Sequence, residues 1–209
     1  LDSMKATMKT LSAILICCFI STIQMYGENI QRPESENYVK GVEALNEGNP
    51  EAAYTYLNAE INEHPDNGYA HCYMALICNF CNDTKLALKA LNSSLELIPE
   101  ADTEYRSFAH YSRGVLLTNL KMWEHAEADL NEAIRLNPED VENYKSRAQL
   151  YFETERYEES LDDLTRALKL DSKADVNDLV LQLMAVAPTS EFMERITATY
   201  QQLDQVTIH

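Results

Sequence analysis

Pro65, Pro99 and Pro138 each close an amphipathic helical segment, with the endings Asn-Glu-His-Pro, Glu-Leu-Ile-Pro and Arg-Leu-Asn-Pro. The first two prolines lie 34 residues apart and the next interval is 39, which leaves a five-residue insertion at Asp102 to Arg106. Ser172, in Lys-Leu-Asp-Ser, stands 34 residues beyond Pro138 and takes the place of the proline. Self-similarity at this period means supersecondary units that cannot bury an apolar face alone and must stack on their neighbours. Only 5 glycines and 6 prolines occur in 209 residues, too few turn-formers for a many-stranded sandwich or barrel. The 45% apolar and 24% charged composition is that of a globular chain. The fold class expected from these features is all-α.

Within the period, small and apolar residues recur at matching places. The second unit shows His71, Met74, Ala75 and Cys78, then Ala87, Leu91 and Pro99. The third has Gly114, Leu117, Ala126, Leu130, Ala133 and Pro138. The fourth has Tyr144, Ala148, Tyr151, Leu164 and Ala167, with Ser160 where an alanine is usual. The first keeps Gly41, Ala44, Ala53, Leu57 and Pro65 but puts Glu60 where a small residue is usual. Small side chains belong where two helices cross closely, and large ones fill the gaps between units. This pattern resembles the tetratricopeptide repeat, over about residues 36–172. The resemblance implies a right-handed α-solenoid of tandem helix-turn-helix units. Their expected bounds are 36–67, 68–101, 102–140 and 141–174, after a linker at 28–35. Two further stripes follow within 175–209, Val176, Leu179, Val180, Leu183 and Ala187, then Phe192, Ile196, Tyr200 and Leu203. They read as a degenerate fifth repeat or a capping helical pair.

Lys5 and Lys9 precede a run of 13 mostly apolar residues, Leu11 to Ile23. A basic flank and a short apolar core make residues 1–27 a candidate secretory signal peptide, since a membrane span needs about 20 apolar residues. The protein is then expected to be exported, periplasmic or secreted, without stable membrane insertion once the signal is removed. An uncleaved membrane anchor is the alternative. Against 17 Lys and Arg stand 34 Asp and Glu, a formal net charge of −17. Phosphate backbones are held by clustered basic side chains, so a nucleic-acid partner is not expected.

Few residues offer chemistry. Cys78-Asn-Phe-Cys81 is a C-x-x-C, but it falls near the end of a first helix, where the dipole disfavours a thiolate. Packing is the expected role of Cys78, with a disulfide or a minor thiol-redox role as alternatives. His71 and His110 hold matching positions in neighbouring units and read as packing residues, without a second ligand at zinc spacing. The acidic pairs Glu158-Glu159 and Asp162-Asp163 read as a solvated helix face. No nucleophile elbow, phosphate loop or H-E-x-x-H occurs. No catalytic activity, cofactor, metal or small-molecule substrate is expected.

What remains is surface. The resemblance implies that first helices line a concave groove that holds a peptide or protein partner. The groove positions expected here are Tyr38, Tyr69, Leu76, Phe80, Phe108, Tyr111, Val115 and Phe152. Tyr69 and Tyr111, polar-tipped, are expected to reach solvent. The Lys, Asn and Arg carboxylate clamp of chaperone-tail binders is replaced by Tyr38, Val42, Tyr73, Phe108 and Ser112, which argues against that subset. The expected function is therefore a non-enzymatic protein-interaction scaffold. The alternative is the repeat segment of a longer enzyme or sensor.

Overall fold

The computed structural model describes residues 30–186 and 189–206 of the chain, and the leader expected over residues 1–27 lies outside them. The described residues form ten helices and no strand. None of these helices is long and apolar enough to cross a membrane. The chain divides into two compact units, the first ending at Tyr105 and the second beginning at Arg106.

The first unit holds α1 (Glu36–Asn46), α2 (Pro50–Glu63), α3 (Gly68–Phe80) and α4 (Thr84–Leu97), and the opening residues of α5 (Thr103–Asn119). Short polar side chains start three of these helices. Asn49 accepts from the N–H of Ala52 just ahead of Pro50, Asn67 from Ala70, and Asp83 from Leu86. Each satisfies a backbone donor that has no partner inside the helix. α1 packs on α2 and α3 on α4, with α2 also against α3. Ala53, Leu57, Ala87 and Leu91 are at most 2% exposed. Gly41 allows the α1–α2 crossing: a Cβ there would stand 2.7 Å from Leu57 Cγ. Glu60 sits among these small residues with its Oε1 accepting from Asn67 Nδ2 at 2.7 Å and its Oε2 buried without a hydrogen-bond partner among the described residues.

The second unit holds the rest of α5, then α6 (Trp123–Leu136), α7 (Val141–Glu153), α8 (Tyr157–Leu170), α9 (Asn177–Val186) and α10 (Ser190–Val206). Gly114 and Leu130 meet as Gly41 and Leu57 do, with a Cβ on Gly114 placed 2.8 Å from Leu130 Cγ. Ser160 replaces an alanine without loss, because its hydroxyl donates to the Ala148 carbonyl at 2.8 Å. Tyr144, Ala148, Leu161, Leu164 and Ala167 form one core with Val176, Leu179, Val180, Leu183, Phe192 and Ile196. Thus α9 and α10 lay their apolar stripes over α8 and close that face. The side chains expected in the same stripe at Tyr200 and Leu203, and Ala187, lie outside the described residues.

One backbone feature recurs at 34- or 39-residue spacing. Gly48, Asn82, Lys121 and Glu155 all adopt positive φ, between 59° and 71°, in the turn between the two helices of a unit. The following N–H reaches back five residues each time, as in Asp83 to Cys78 and Arg156 to Tyr151, both 2.8 Å. This double closure caps the first helix and reverses the chain. Only the first of the four is a glycine, so the other three carry the left-handed conformation at a steric cost.

Candidate protein-interaction surface

In the first unit the tyrosines of α1, α3 and early α5 converge. Tyr38 and Tyr73 have ring centroids 6.1 Å apart, and Tyr69 meets Tyr105 edge-on at 4.8 Å. The Tyr73 and Tyr105 hydroxyls are 3.0 Å apart, and the Tyr69 hydroxyl donates to Asp102 Oδ2 at 2.9 Å. Burial raises all four phenols above their ordinary value, and for Tyr69 the bond to Asp102 adds to it. They therefore stay protonated hydroxyls rather than phenolates. Arg32, from the non-helical segment before α1, completes the cluster. Its Nε donates to Asp102 Oδ2 at 3.1 Å and its Nη2 to Glu104 Oε2 at 2.9 Å. The guanidinium lies 4.5 Å from the Tyr105 ring centroid.

This placement corrects two expectations. Tyr38 is 7% and Tyr69 5% exposed, so neither presents an open contact surface. Tyr69 turns its hydroxyl to a buried carboxylate, not to solvent. Leu76 and Phe80, further along α3, are half-buried. Cys72 is fully enclosed and its thiol is pushed up to about 12 by burial. Burial also raises the Cys78 thiol, and Cys78 and the exposed Cys81 are both free thiols. A raised thiol is a poor nucleophile, so the geometry favours packing for Cys78.

In the second unit one side of α5 is committed to α6. The Ser107 hydroxyl donates to the Ala133 carbonyl at 2.9 Å, and Arg113 donates to both Asp129 oxygens, Nε at 2.7 Å and Nη2 at 2.8 Å. His110 Nδ1 lies 2.9 Å from Asp129 Oδ1. The neighbouring stripe of α5 carries Phe108, Tyr111 and Val115, all half-buried. Phe108 and Tyr111 are stacked, with centroids 6.3 Å apart and planes 27° from parallel. Burial pushes the Tyr111 phenol up to about 12, although Ser146 donates to it. On α7 the corresponding stripe is polar: Lys145 bonds Glu142 at 2.8 Å and Gln149 bonds Glu153 at 2.9 Å. Lys145 and Gln149 line a shallow pocket of about 170 Å³ with Asp175, Asp178 and Gln182. Phe152 departs from its expected place: it packs on Tyr157 at 5.7 Å and against the core of the unit.

The acidic pairs of α8 also differ from a plain solvated face. Asp163 is 6% exposed and accepts two hydrogen bonds from Arg147, both 2.8 Å. Its neighbour Asp162 is turned outward and pairs with Arg195 of α10 at 2.7 Å, and Glu158 also pairs with Arg195. The sequence carried a signal for the inner pairs: Arg113 and Arg147, like Asp129 and Asp163, are 34 residues apart. Among the described residues no group of three His, Cys, Asp or Glu side chains could hold a metal ion.

Comparison with known proteins agrees with this architecture. The tetratricopeptide-repeat family profile matches residues 109–140 and 142–173. Tetratricopeptide repeat protein 6 of Homo sapiens is 24% identical over 143 residues, 68% of this chain and 26% of that protein. A lipoprotein NlpI homolog of Haemophilus influenzae is 31% identical over 87 residues, 42% of this chain and 28% of that protein. The chain thus spans about a quarter of the length of these curated relatives. Among solved structures, the MamA RS-1 ArsTM double mutant superposes with a TM-score of 0.66 at 18% identity, covering 83% of this chain and 96% of that one. YrrB, described as a TPR protein with an unusual peptide-binding site, gives 0.59 at 20% identity, over 70% of this chain and 73% of its own. With the helical pairs, their crossings and the repeated turns, these matches show tetratricopeptide repeats in the chain, in a fold of about four tandem helical units.

Proposed function

We propose that this protein is an exported, non-enzymatic scaffold that holds a peptide or protein segment on the first helices of its repeats. The observation that carries the reading is the α5 stripe. Phe108, Tyr111 and Val115 stand half-buried beside the stripe of α5 that bonds to α6. Leu76 and Phe80 of α3 offer a second apolar surface in the first unit. Aromatic side chains supply large contact area at low entropic cost, and a few of them carry most of an interface's energy. YrrB, which shares the fold and is described as having an unusual peptide-binding site, supports a peptide as the class of partner.

The test is the double substitution Phe108→Ala with Val115→Ala. Binding of a partner co-purified with the wild-type chain should weaken by roughly 2–4 kcal/mol while thermal melting stays within a few degrees. Equal losses of melting and binding would place these residues in the core and remove the proposed surface.

Export rests on the leader pattern of residues 1–27, and the NlpI relative is by its name a lipoprotein. The mature N-terminus is expected near Glu28 when protein from the native host is sequenced. Native protein that keeps residues 1–27 in the cytosol would refute it.

A further inference from the structure

Asp102 is 1% exposed, and burying a carboxylate is costly unless its charge and lone pairs are taken up. Here the Tyr69 hydroxyl and the Tyr105 N–H, 3.3 Å from Oδ1, take part of that demand. Arg32 meets the charge, through Nε to Oδ2 and Nη2 to Oδ1. Glu104 supplies a second carboxylate to the same guanidinium, and the Tyr105 ring its floor. Two carboxylates set in a fork, an aromatic plane and rigid tyrosines behind them match a planar five-donor cation. A lysine ammonium would fill the charge but not the fork.

The cation arrives in an unusual way. Arg32 belongs to a non-helical stretch, Ile30-Gln31-Arg32-Pro33-Glu34-Ser35, that comes 70 residues earlier in sequence than Asp102. Gln31 and Glu34 are exposed while Ile30, Pro33 and Ser35 are half-buried, and the guanidinium is the segment's charged contact with the cluster. Proline biases the residue before it to an extended backbone, the conformation of a bound peptide. The socket holds one more negative charge than Arg32 neutralises, in a chain of net charge −17. Such a field draws cationic segments.

We infer that Asp102, Glu104, Tyr69 and Tyr105 form an arginine-recognition site for an extended, arginine-bearing segment of a partner protein, and that Arg32 occupies it in cis as a resident competitor. The inference rests on the scaffold reading for the partner being a protein, and it gives that partner a chemistry. A tethered side chain competes at a millimolar effective concentration, so a foreign arginine enters when Arg32 is withdrawn or when the partner adds contacts of its own.

The test uses the full chain and a labelled, end-blocked hexapeptide of sequence Ile-Gln-Arg-Pro-Glu-Ser, with binding read by fluorescence anisotropy and folding by circular dichroism. The R32A chain should bind it at least about tenfold more tightly than wild type, because the cis competitor is gone. The same peptide with lysine in place of arginine should bind R32A at least about tenfold more weakly. Adding Glu104→Gln, at a half-buried position and with the fold checked by circular dichroism, should weaken the arginine peptide as well. Equal binding to wild type and R32A, equal binding of the lysine peptide, or no binding to folded R32A would each overturn the site. If R32A does not fold, R32K keeps the charge, loses the fork and serves as the host under the same criteria. Failure here with partner loss intact in the Phe108 and Val115 variant would remove the arginine site and leave the scaffold reading standing.

Discussion

Leu130→Ala should destabilise the protein by about 2–5 kcal/mol and lower the melting temperature by on the order of 10 °C. Leu130 is 0% exposed, and its side chain fills the space that Gly114 leaves open at the α5–α6 crossing. Truncation removes three carbons opposite the bare backbone of Gly114, so collapse is limited and a cavity remains. The crossing also predicts a coupling. In wild type an added methyl at Gly114 would meet Leu130 Cγ at 2.8 Å, so Gly114→Ala costs stability. In the Leu130→Ala background the same methyl enters the vacated volume, and alanine is the better helix former. Gly114→Ala should therefore cost less there than in wild type, or stabilise. Thermal melting of the four proteins reads both effects. A Leu130→Ala protein that melts within two degrees or so of wild type would mean that this crossing is not part of the core.

Why that crossing could be found without coordinates, and other features could not, has a physical answer. Close helix crossings exclude large side chains, so Gly41, Ala75, Gly114 and Ala148 repeat in register, as do Leu57, Leu91, Leu130 and Leu164. A steric rule of this kind writes itself into residue types. The left-handed turn position does not, because Asn82, Lys121 and Glu155 carry it without glycine. Phe108, Tyr111 and Val115 stand out as one helical stripe, whereas Tyr69 escapes the pattern because a tyrosine's hydroxyl seeks any partner, and Asp102 offers one inside the protein. That bond and the Arg32 anchor join residues 33 and 70 positions apart, outside the reach of a periodic pattern. On α8 a single residue step, about 100° of rotation, decides whether an aspartate meets Arg147 inside or Arg195 outside.

Asp129→Ala should cost about 2–3 kcal/mol, and adding Arg113→Met should restore at least half of it. Asp129 is 5% exposed and receives two bonds from Arg113 and one contact from His110, so its removal takes a bidentate carboxylate away from a half-buried guanidinium. Arg113 is partly solvated, with a side chain 25% exposed, which holds the cost below that of a fully enclosed pair. The repeats themselves show that the position tolerates another solution. At the matching places the second repeat has Met74 and Ala90, both buried, and the first sets Lys40 over the Tyr56 ring at 5.8 Å. An apolar pair of that shape needs no desolvation of charge, so the double variant should recover what the single one loses. Acid titration gives an independent check. Burial pushes the Asp129 carboxyl upward, but the hydrogen bonds from Arg113 and His110 outweigh it, and the group titrates below its ordinary value. Its contribution is therefore present above about pH 4 and lost as pH falls further, and the acid-side loss of stability should be shallower in Asp129→Ala than in wild type. Asp163 lies the other way: burial raises it beyond what Arg147 offsets, with Asp162 adding to the rise. Its contribution weakens as pH rises through the acid range, so Asp163→Ala should leave the acid slope at least as steep. Matching acid slopes in wild type and Asp129→Ala, or a double variant that melts below the single one, would show that the Arg113–Asp129 pair is not an exchangeable solution to the same packing problem.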